Sequence, residues 1–578
     1  GQPIDQARLR AALQTMSRRG PDDWGLWIGS RDGETQAVHV PTQPTSPFSQ
    51  QELATCGRVH RDSVSIANTR LAITGEHGRQ PMVAPGQAVL GFNGQAYNHH
   101  RLRRELQSLG HTFRGTSDTE VVLRGYLQWG AAVVSRIDGP FALVLWDSRR
   151  RKLVAARDRF GEKPLFAHQP AAFGSMIFSS QLRTLWAIGA VVPVIDVEVA
   201  RSYVLDRRPP SGLETFFRQV TRVEPGHILE FSPDTNILVD TRFWQPPVRA
   251  LAAPPVAEVQ ETMRALIREA VELTHPESGR SALCLSGGVD SGNLLAAAPN
   301  TPALTVYDPN GGNDERFHAR AFAAAVGSVA PDEIDVGGQL DFATLCGFLG
   351  DQDEPPLNSG ALIQWLLMKA MAKAGYRVVI SGQGADELFW GYPWYTHGLT
   401  SRASVERMSD SQEFGSASPN MALSEADDLR HTELFRTRLP QHLRDDDTNS
   451  MAFGIESRAP YLTRNVVDYA LSLPVSACLA AGVTKYPVRS AYADVLPEEI
   501  VWQTAKRGLY FDCAARHRSL LAEALAEHAP RSEVISGLIA TSQTSARLQL
   551  DGDRLWRMFA LAQVEADSLA FFPVGKRC

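Results

Sequence analysis

The run Ser281-Ala282-Leu283-Cys284-Leu285-Ser286-Gly287-Gly288-Val289-Asp290-Ser291 constrains this chain more than any other segment. A short apolar stretch enters a small, glycine-bearing turn, and a helical pattern over 292–298 follows directly. That is half of a strand–helix–strand unit. The pattern continues with a predicted strand Ala303–Tyr307, a helix over 316–326, a helix over 361–374 and a strand Arg377–Ile380. Continuous apolar strands separated by helices predict a parallel sheet covered on both faces. Ligands of such sheets sit at the carboxyl ends of the strands. The two glycines let backbone amides approach an anion, and a helix start adds unpaired N–H groups. The loop lacks the G-x-x-x-x-G-K-[ST] pattern. Taken alone, it is also what any tight strand-to-helix turn with a cap requires.

The first 245 or so residues read differently. Ser63–Ala67, Ala88–Phe92, Phe141–Trp146 and Leu153–Ala156 are short apolar runs bounded by turn residues, interrupted by helical stretches over 5–16, 100–109 and 118–129. They predict a sandwich of antiparallel sheets with helical cover. Gln245-Pro246-Pro247 and Ala252-Ala253-Pro254-Pro255 bracket a plausible linker, placed at 246–257, between a unit over 1–245 and one over 258–578. The fold class expected is therefore α/β and α+β in two domains. The last 150 or so residues look mostly helical.

Composition removes whole classes of protein. The 43% hydrophobic content permits large cores, and 58 basic against 64 acidic residues, net −6, is too balanced for a nucleic-acid reader. No apolar run reaches the roughly 18 residues a membrane span needs. No basic-then-apolar signal opens the given sequence, and the six scattered cysteines form no C-x-x-C or Cys/His spacing. A cytoplasmic protein without nucleic-acid or membrane partners is the expectation.

A second loop, Ser381-Gly382-Gln383-Gly384-Ala385-Asp386-Glu387-Leu388-Phe389-Trp390-Gly391-Tyr392, also ends a predicted strand. Two strand-end loops that each carry a carboxylate, Asp290 and Asp386, suit a Mg²⁺–pyrophosphate site. The Ser286–Ser291 hexapeptide resembles the pyrophosphate loop of the N-type ATP pyrophosphatases, and the second loop resembles the S-G-x-G-x-D-E-L-F-x-G-Y signature of asparagine synthetases. Asp353-Glu354-Pro355 resembles that family's D-E-P loop. Asp447, Ser450-Met451-Ala452 and Glu456-Ser457-Arg458-Ala459-Pro460-Tyr461-Leu462 resemble its D-x-x-S-M-A and E-x-R-x-P-F-L-D stretch. Thr484-Lys485 through Arg489 resembles T-K-x-x-L-R, and Lys506-Arg507-Gly508 resembles the following K-R-G. In the first half, Arg19-Gly20-Pro21-Asp22, Arg70-Leu71-Ala72-Ile73, Phe92-Asn93-Gly94-Gln95-Ala96-Tyr97-Asn98, Thr116-Ser117-Asp118-Thr119-Glu120 and Ala156-Arg157-Asp158-Arg159-Phe160-Gly161 resemble the motifs of class II glutamine amidotransferase domains.

The resemblance implies an N-terminal-nucleophile hydrolase-like sandwich followed by an adenine nucleotide α-hydrolase-like sheet. It implies an ATP- and Mg²⁺-dependent ligase that converts a carboxylate to an acyl-AMP and amidates it with ammonia from glutamine. Aspartate or a natural-product carboxylate would be the acceptor. By the same resemblance, Arg70 would hold the glutamine carboxylate and Asp118 its ammonium. Asn93 and the Gly94 amide would form the oxyanion hole, with Gln95 beside them. Ser286, Gly287, Gly288, Ser291 and Ser381 would hold ATP phosphates, with Leu285, Val306 and Gly382 at the adenosine. Asp290 and Asp386 would bind Mg²⁺, Lys485 would stabilise the adenylation transition state, and Gln383 and Glu387 would adjoin the acyl group. A homodimer is left open.

Departures from the family's pattern bear on substrate. Gln95 and Gln383 stand where the family usually has acidic residues, Thr463 replaces an aspartate, and Gly292 and Trp390 replace small or hydroxyl residues. The family's nucleophile is an N-terminal cysteine heading a C-G-I-x-G strand, whereas the given sequence opens Gly1-Gln2-Pro3-Ile4-Asp5, matching the segment just after it. Cys56 lies in the wrong segment to substitute. Retention of Arg70, Asn93, Gly94 and Asp118 leads us to expect that the cysteine precedes the given residues. The alternatives are a lactam- or macrolactam-forming synthetase that uses an amine and keeps an inactive glutaminase unit, and a nucleotide-binding scaffold without activity.

Overall fold

The computed structural model describes residues 6–30, 35–41, 63–75, 77–247, 254–276, 280–309, 314–395, 423–479, 483–503, 513–541 and 552–571. Gly1–Asp5, Cys56 and Lys506-Arg507-Gly508 lie outside them.

Alternation with a period of two builds the first half. In the strand Asp23–Ser30, Trp24 and Leu26 point to one face and Trp27 to the other. This strand is central in a three-stranded antiparallel sheet, between Thr35–Pro41 and Ser63–Arg70. Trp24 and Leu26 pack under Leu9 and Leu13 of the helix Gln6–Thr15. Trp27 and Ile66 meet Val89 and Trp146 of a six-stranded sheet. That sheet runs Ile237–Arg242, His227–Ser232, Lys152–Arg157, Phe141–Asp147, Ala88–Gly94, Met82–Ala84, antiparallel throughout. Its far face buries Leu90, Phe92, Leu143 and Leu145 against Val122 and Tyr126 of the helix Asp118–Trp129. Burying a side chain such as Leu90, at 0% exposure, stabilises the fold by about 1.5–3 kcal/mol. The layers therefore run helix, sheet, sheet, helix, the predicted sandwich.

The second half holds a five-stranded parallel sheet in the order Asp332–Asp335, Ala303–Tyr307, Ser281–Cys284, Val378–Ile380, Glu456–Arg458. Successive residues serve opposite cores. Ala282 and Val379 join a cluster with the helices Phe342–Gly350, Gly360–Lys373 and Gly552–Leu569, while Leu283 and Ile380 join one with Val256–Thr274, Val289–Ala297 and Arg316–Ala325. The two outermost strands, Asp332–Asp335 and Glu456–Arg458, were not predicted. They are short and charged, as edge strands are free to be. The helix after the glycine turn starts at Val289, earlier than predicted, and takes Asp290 and Ser291 into its first turn. The helix Val256–Thr274 takes in the last two residues of the proposed linker. Among the described residues no helix is long and apolar enough to cross a membrane.

Residues of the two halves meet through buried charges. Arg19 donates to both oxygens of Asp447 at 2.8 and 3.1 Å, and the Lys163 ammonium reaches the same carboxylate at 3.2 Å. Burial works against the charge on Asp447, but these two cations hold its pKa below the usual carboxylate value. Glu354 of the D-E-P segment accepts from Arg222, from Arg444 and from the Phe216 amide. Asp22 of the R-G-P-D segment accepts from Arg377. Phe160 stacks on Phe435 with ring centres 5.8 Å apart. Removing one partner from the buried pairs at Asp447 and Glu354 costs about 3–5 kcal/mol, because it strands the other charge. Several motifs first noticed as family resemblances thus act as fasteners between the halves.

Candidate active site

Two loops leave adjacent parallel strands side by side, since Leu283 pairs with Ile380. In the first, Gly287 takes φ +74°, and a side chain there would press on Glu315 at 3.0 Å. The Ser286 amide donates to Ser291 Oγ at 3.2 Å, and Ser291 Oγ donates to the Gly288 carbonyl at 3.0 Å, which closes the turn on itself. In the second loop, a Cβ on Gly382 would lie 3.1 Å from the Asp290 Cβ, so glycine lets the loops approach each other. The Ser381 hydroxyl is buried without a hydrogen-bond partner and is a donor left for a ligand.

Lys485 completes the centre. It occupies the left-handed region at φ +56°, at the cap of the helix Tyr486–Ala491, and is 5% exposed. Its Nζ lies 2.6 Å from Asp290 Oδ2 and 2.6 Å from Asp386 Oδ1. Burial alone would lower the lysine pKa, yet the two carboxylates outweigh it and hold the value above the ordinary one. Asn293 Nδ2 donates to the Val488 carbonyl at 2.6 Å, tying the lysine's helix to the helix that carries Asp290. The Tyr461 hydroxyl donates to the Asp290 carbonyl at 3.0 Å. Gly391 matters in a way its place in the motif did not reveal. A Cβ there would sit 2.0 Å from Asp386 Oδ1 and 2.1 Å from Lys485 Cε.

Beside this centre Glu387, 1% exposed, accepts from the Tyr392 hydroxyl at 2.8 Å and lies 3.6 Å from His442 Nδ1. Burial would raise its pKa, but His442 and the tyrosine hydrogen bond bring it below the usual value. Gln383 is half-buried on the same loop. Leu285 and Val306 are buried at 0% and 4% in two different apolar clusters.

The residues expected around glutamine occupy the ends of neighbouring strands and a helix but are engaged by the chain's own groups. The guanidinium of Arg70 pairs with Asp23. A Cβ on Gly78 would lie 3.0 Å from Ser117 Cβ and 3.5 Å from an Arg70 nitrogen, which places Arg70 beside the turn that carries Asp118. Asp118 accepts from the Ala96 amide at 3.0 Å and the Thr119 amide at 2.7 Å. Its burial nevertheless pushes its pKa up to about 6. Asn93 Nδ2 lies 3.4 Å from Ser180 Oγ, and Gly94 adopts φ +137°. Gln95 Oε1 accepts from Thr74 Oγ1 at 2.9 Å and from Arg458 at 2.5 Å, a contact between the two halves that no sequence spacing announces.

The fold and the family matches together define a glutamine amidotransferase-type carbon–nitrogen ligase with a sandwich half and a parallel-sheet half. Residues 54–244 match the glutamine amidotransferase domain family, and residues 262–566, more than half the chain, match the asparagine synthase family. The chain belongs to the asparagine synthase family. It is 27% identical to asparagine synthetase [glutamine-hydrolyzing] 3 of Bacillus subtilis over 553 residues, covering 85% of this chain and 82% of the relative. It is 28% identical to a putative asparagine synthetase [glutamine-hydrolyzing] of Mycobacterium tuberculosis, with the same coverage of both chains. It is 30% identical to an amidase of Penicillium rubens over 376 residues, covering 60% of this chain and 54% of that one.

Proposed function

We propose that the chain activates a carboxylate with ATP and amidates it with ammonia released from glutamine. The observation that carries this reading is the Lys485 ammonium held 2.6 Å from two carboxylates at the ends of adjacent parallel strands. The residues fit both ATP and Mg²⁺. Ser381 keeps an unpartnered hydroxyl, a helix begins at Val289 directly after the glycine turn, and Asp290 with Asp386 offers the hard oxygen donors Mg²⁺ prefers. Bound there, Mg²⁺ would neutralise charge on the departing pyrophosphate.

In the first step a carboxylate oxygen of the acceptor attacks the α-phosphorus of ATP, giving acyl-AMP and pyrophosphate. Lys485 is the residue for charge that develops on the α-phosphoryl and acyl oxygens, and Asp290 and Asp386 keep it protonated. In the second step ammonia attacks the acyl carbon and AMP leaves. Leu285, Val306 and Gly382 would contact the adenosine, and Gln383 and Glu387 the acyl group. Aspartate is the first acceptor to test. Because Gln383 is neutral where an acidic residue is usual, a larger biosynthetic carboxylate is the second. We assign the glutaminase unit to 1–245, the linker to 246–257 and the synthetase unit to 258–578.

A second reading replaces ammonia by an amine of the substrate. It draws on Arg70, whose guanidinium is occupied by Asp23, so that glutamine would have to share it. Measuring glutamate released per pyrophosphate separates the two: one to one for the first, none for the second. The first reading as a whole is tested by ATP–pyrophosphate exchange across a carboxylate panel. Asp290→Asn and Asp386→Asn should abolish exchange in folded protein, because an amide is a poor ligand for a hard cation. Near-normal exchange in both would overturn the site.

A further inference from the structure

Arg458 belongs to both halves of the molecule at once. Its backbone lies in the outermost strand of the parallel sheet, Glu456–Arg458, paired with Ile380, and its carbonyl accepts from the Ser381 amide at 3.0 Å. Ser381 opens the second phosphate loop. Its side chain, 2% exposed overall, points the other way in chemical terms. One nitrogen donates to Glu456 at 2.9 Å, one to the Thr274 carbonyl at 2.8 Å, and one to Gln95 Oε1 at 2.5 Å. Gln95 directly follows Asn93-Gly94, the strand end assigned to the oxyanion of glutamine hydrolysis. One residue therefore joins the nucleotide loop by its backbone and the glutamine strand end by its side chain.

A cavity adjoins this joint. Arg458, Gln95 and Tyr97 border a cavity of about 330 Å³, opposite Glu269 and Glu272 of the helix Val256–Thr274. The Tyr97 hydroxyl is buried there without a hydrogen-bond partner, and the Arg458 guanidinium lies 5.6 Å from the Tyr97 ring. Charge-assisted bonds hold the far end of the arginine in place, while the side facing this cavity is not packed shut.

We propose that Arg458 is a positioning residue that couples the two sites, so that nucleotide bound at Ser381–Gly382 tightens the Asn93–Gln95 strand end through the Arg458–Gln95 bond. This rests on the nucleotide reading given above. A ligand shifts such an equilibrium only through a contact it makes better in one state. The unpartnered Ser381 hydroxyl supplies that contact, next to the amide that holds the Arg458 carbonyl. Gln95 matters because its neutral amide accepts from both Thr74 and Arg458 without adding a charge that would lock the pair in every state.

Hydrogen–deuterium exchange of the full chain, with and without Mg²⁺ and α,β-methylene-ATP, tests the idea. Nucleotide should slow exchange in the 93–97 segment about tenfold, the effect of one charge-assisted hydrogen bond. Protection should also appear in the 285–291 loop. Gln95→Met should keep the protection of 285–291 and lose that of 93–97. Gln95→Glu, whose charge holds the arginine in both states, should keep the protection of 285–291 and slow exchange at 93–97 even without nucleotide, a result that a purely structural role does not predict. Arg458→Met should behave like Gln95→Met. Should the arginine variant fail to fold, the glutamine pair carries the comparison alone. Undiminished protection of 93–97 in Gln95→Met overturns the coupling. Absence of protection at 285–291 in the unaltered chain overturns the nucleotide reading, and the coupling with it.

Discussion

The two candidate centres differ in how their charges are settled. At the strand ends of the parallel sheet, Lys485 sits between Asp290 and Asp386, buried and within 2.6 Å of each. The centre is closed upon itself, and the sheet, two glycine turns and a left-handed lysine all converge on it. In the sandwich, Arg70 faces Asp23, Asp118 faces backbone amides, and Gln95 faces Arg458. Those groups are neighbours that answer to other partners. A preassembled cation between carboxylates has its charge ready before any substrate arrives. Residues paired elsewhere must exchange partners to bind one. The contrast teaches that matching motifs in the two halves do not carry the same degree of preorganisation.

The strongest test of that contrast is Lys485→Ala. Pyrophosphate release should fall about 10²–10³-fold, or roughly 3–4 kcal/mol, while ATP affinity changes little, since the lysine meets charge that appears only in the transition state. Lys485→Arg should recover part of the loss, because a planar fork cannot place one compact charge at the same point. Equal loss of affinity and rate would make the lysine a ground-state phosphate binder instead.

Next in size comes Asp118→Asn, read by chemical denaturation at pH 4.5 and 7.5. The folded-state pKa of about 6 is raised by burial above the unfolded value of about 3.9. The protonated group's contribution is therefore fully present below about pH 4 and is lost as pH rises through about 6. Between pH 4.5 and 7.5 the unaltered protein should lose about 2 kcal/mol of stability relative to the variant. A variant with the same pH profile would show that the Asp118 charge is already compensated.

Gly391→Ala sharpens the comparison from the other side. A methyl group 2.0 Å from Asp386 Oδ1 and 2.1 Å from Lys485 Cε must push the ion triad apart. We expect at least about a tenfold loss of adenylation and about 1–3 kcal/mol of stability. Glutamine binding, measured separately, should be untouched. Full activity in the alanine variant would mean that the triad tolerates displacement and is less preorganised than its geometry says.

The smallest effect should belong to Arg70→Ala. The KM for glutamine should rise about tenfold, worth about 1.4 kcal/mol, with ammonia-dependent turnover unchanged. The effect is modest because glutamine must share the guanidinium with Asp23. Equal loss of both activities would make Arg70 a structural residue.

Much of the architecture was legible because period and punctuation are local. The helix Asp118–Trp129 begins and ends where its capping serine and its glycine stop put it. Leu283 and Ile380 lie on adjacent apolar strands buried on both faces, and such runs alternating with helices mark a parallel sheet. The charged strand Asp332–Asp335 was missed because an edge position removes the apolar requirement that makes strands visible.

Sequence alone named the candidate carriers of the chemistry: a glycine turn after a strand, a carboxylate in each of two loops, and a lysine among only seven in the chain. Resemblance within ordered motifs then supplied their expected roles. Only the tertiary structure decided which of these residues meet. Asp290, Asp386 and Lys485 come from three separate segments, and their convergence depends on the parallel register of Leu283 with Ile380 and on the anchoring of the lysine's helix by Asn293. Arg19 finds Asp447, and Arg458 finds Gln95, across hundreds of residues. Such pairings leave no local trace, because the free energy that fixes them arises from burying two charged or polar groups together, and neither residue carries that signal in its own neighbourhood.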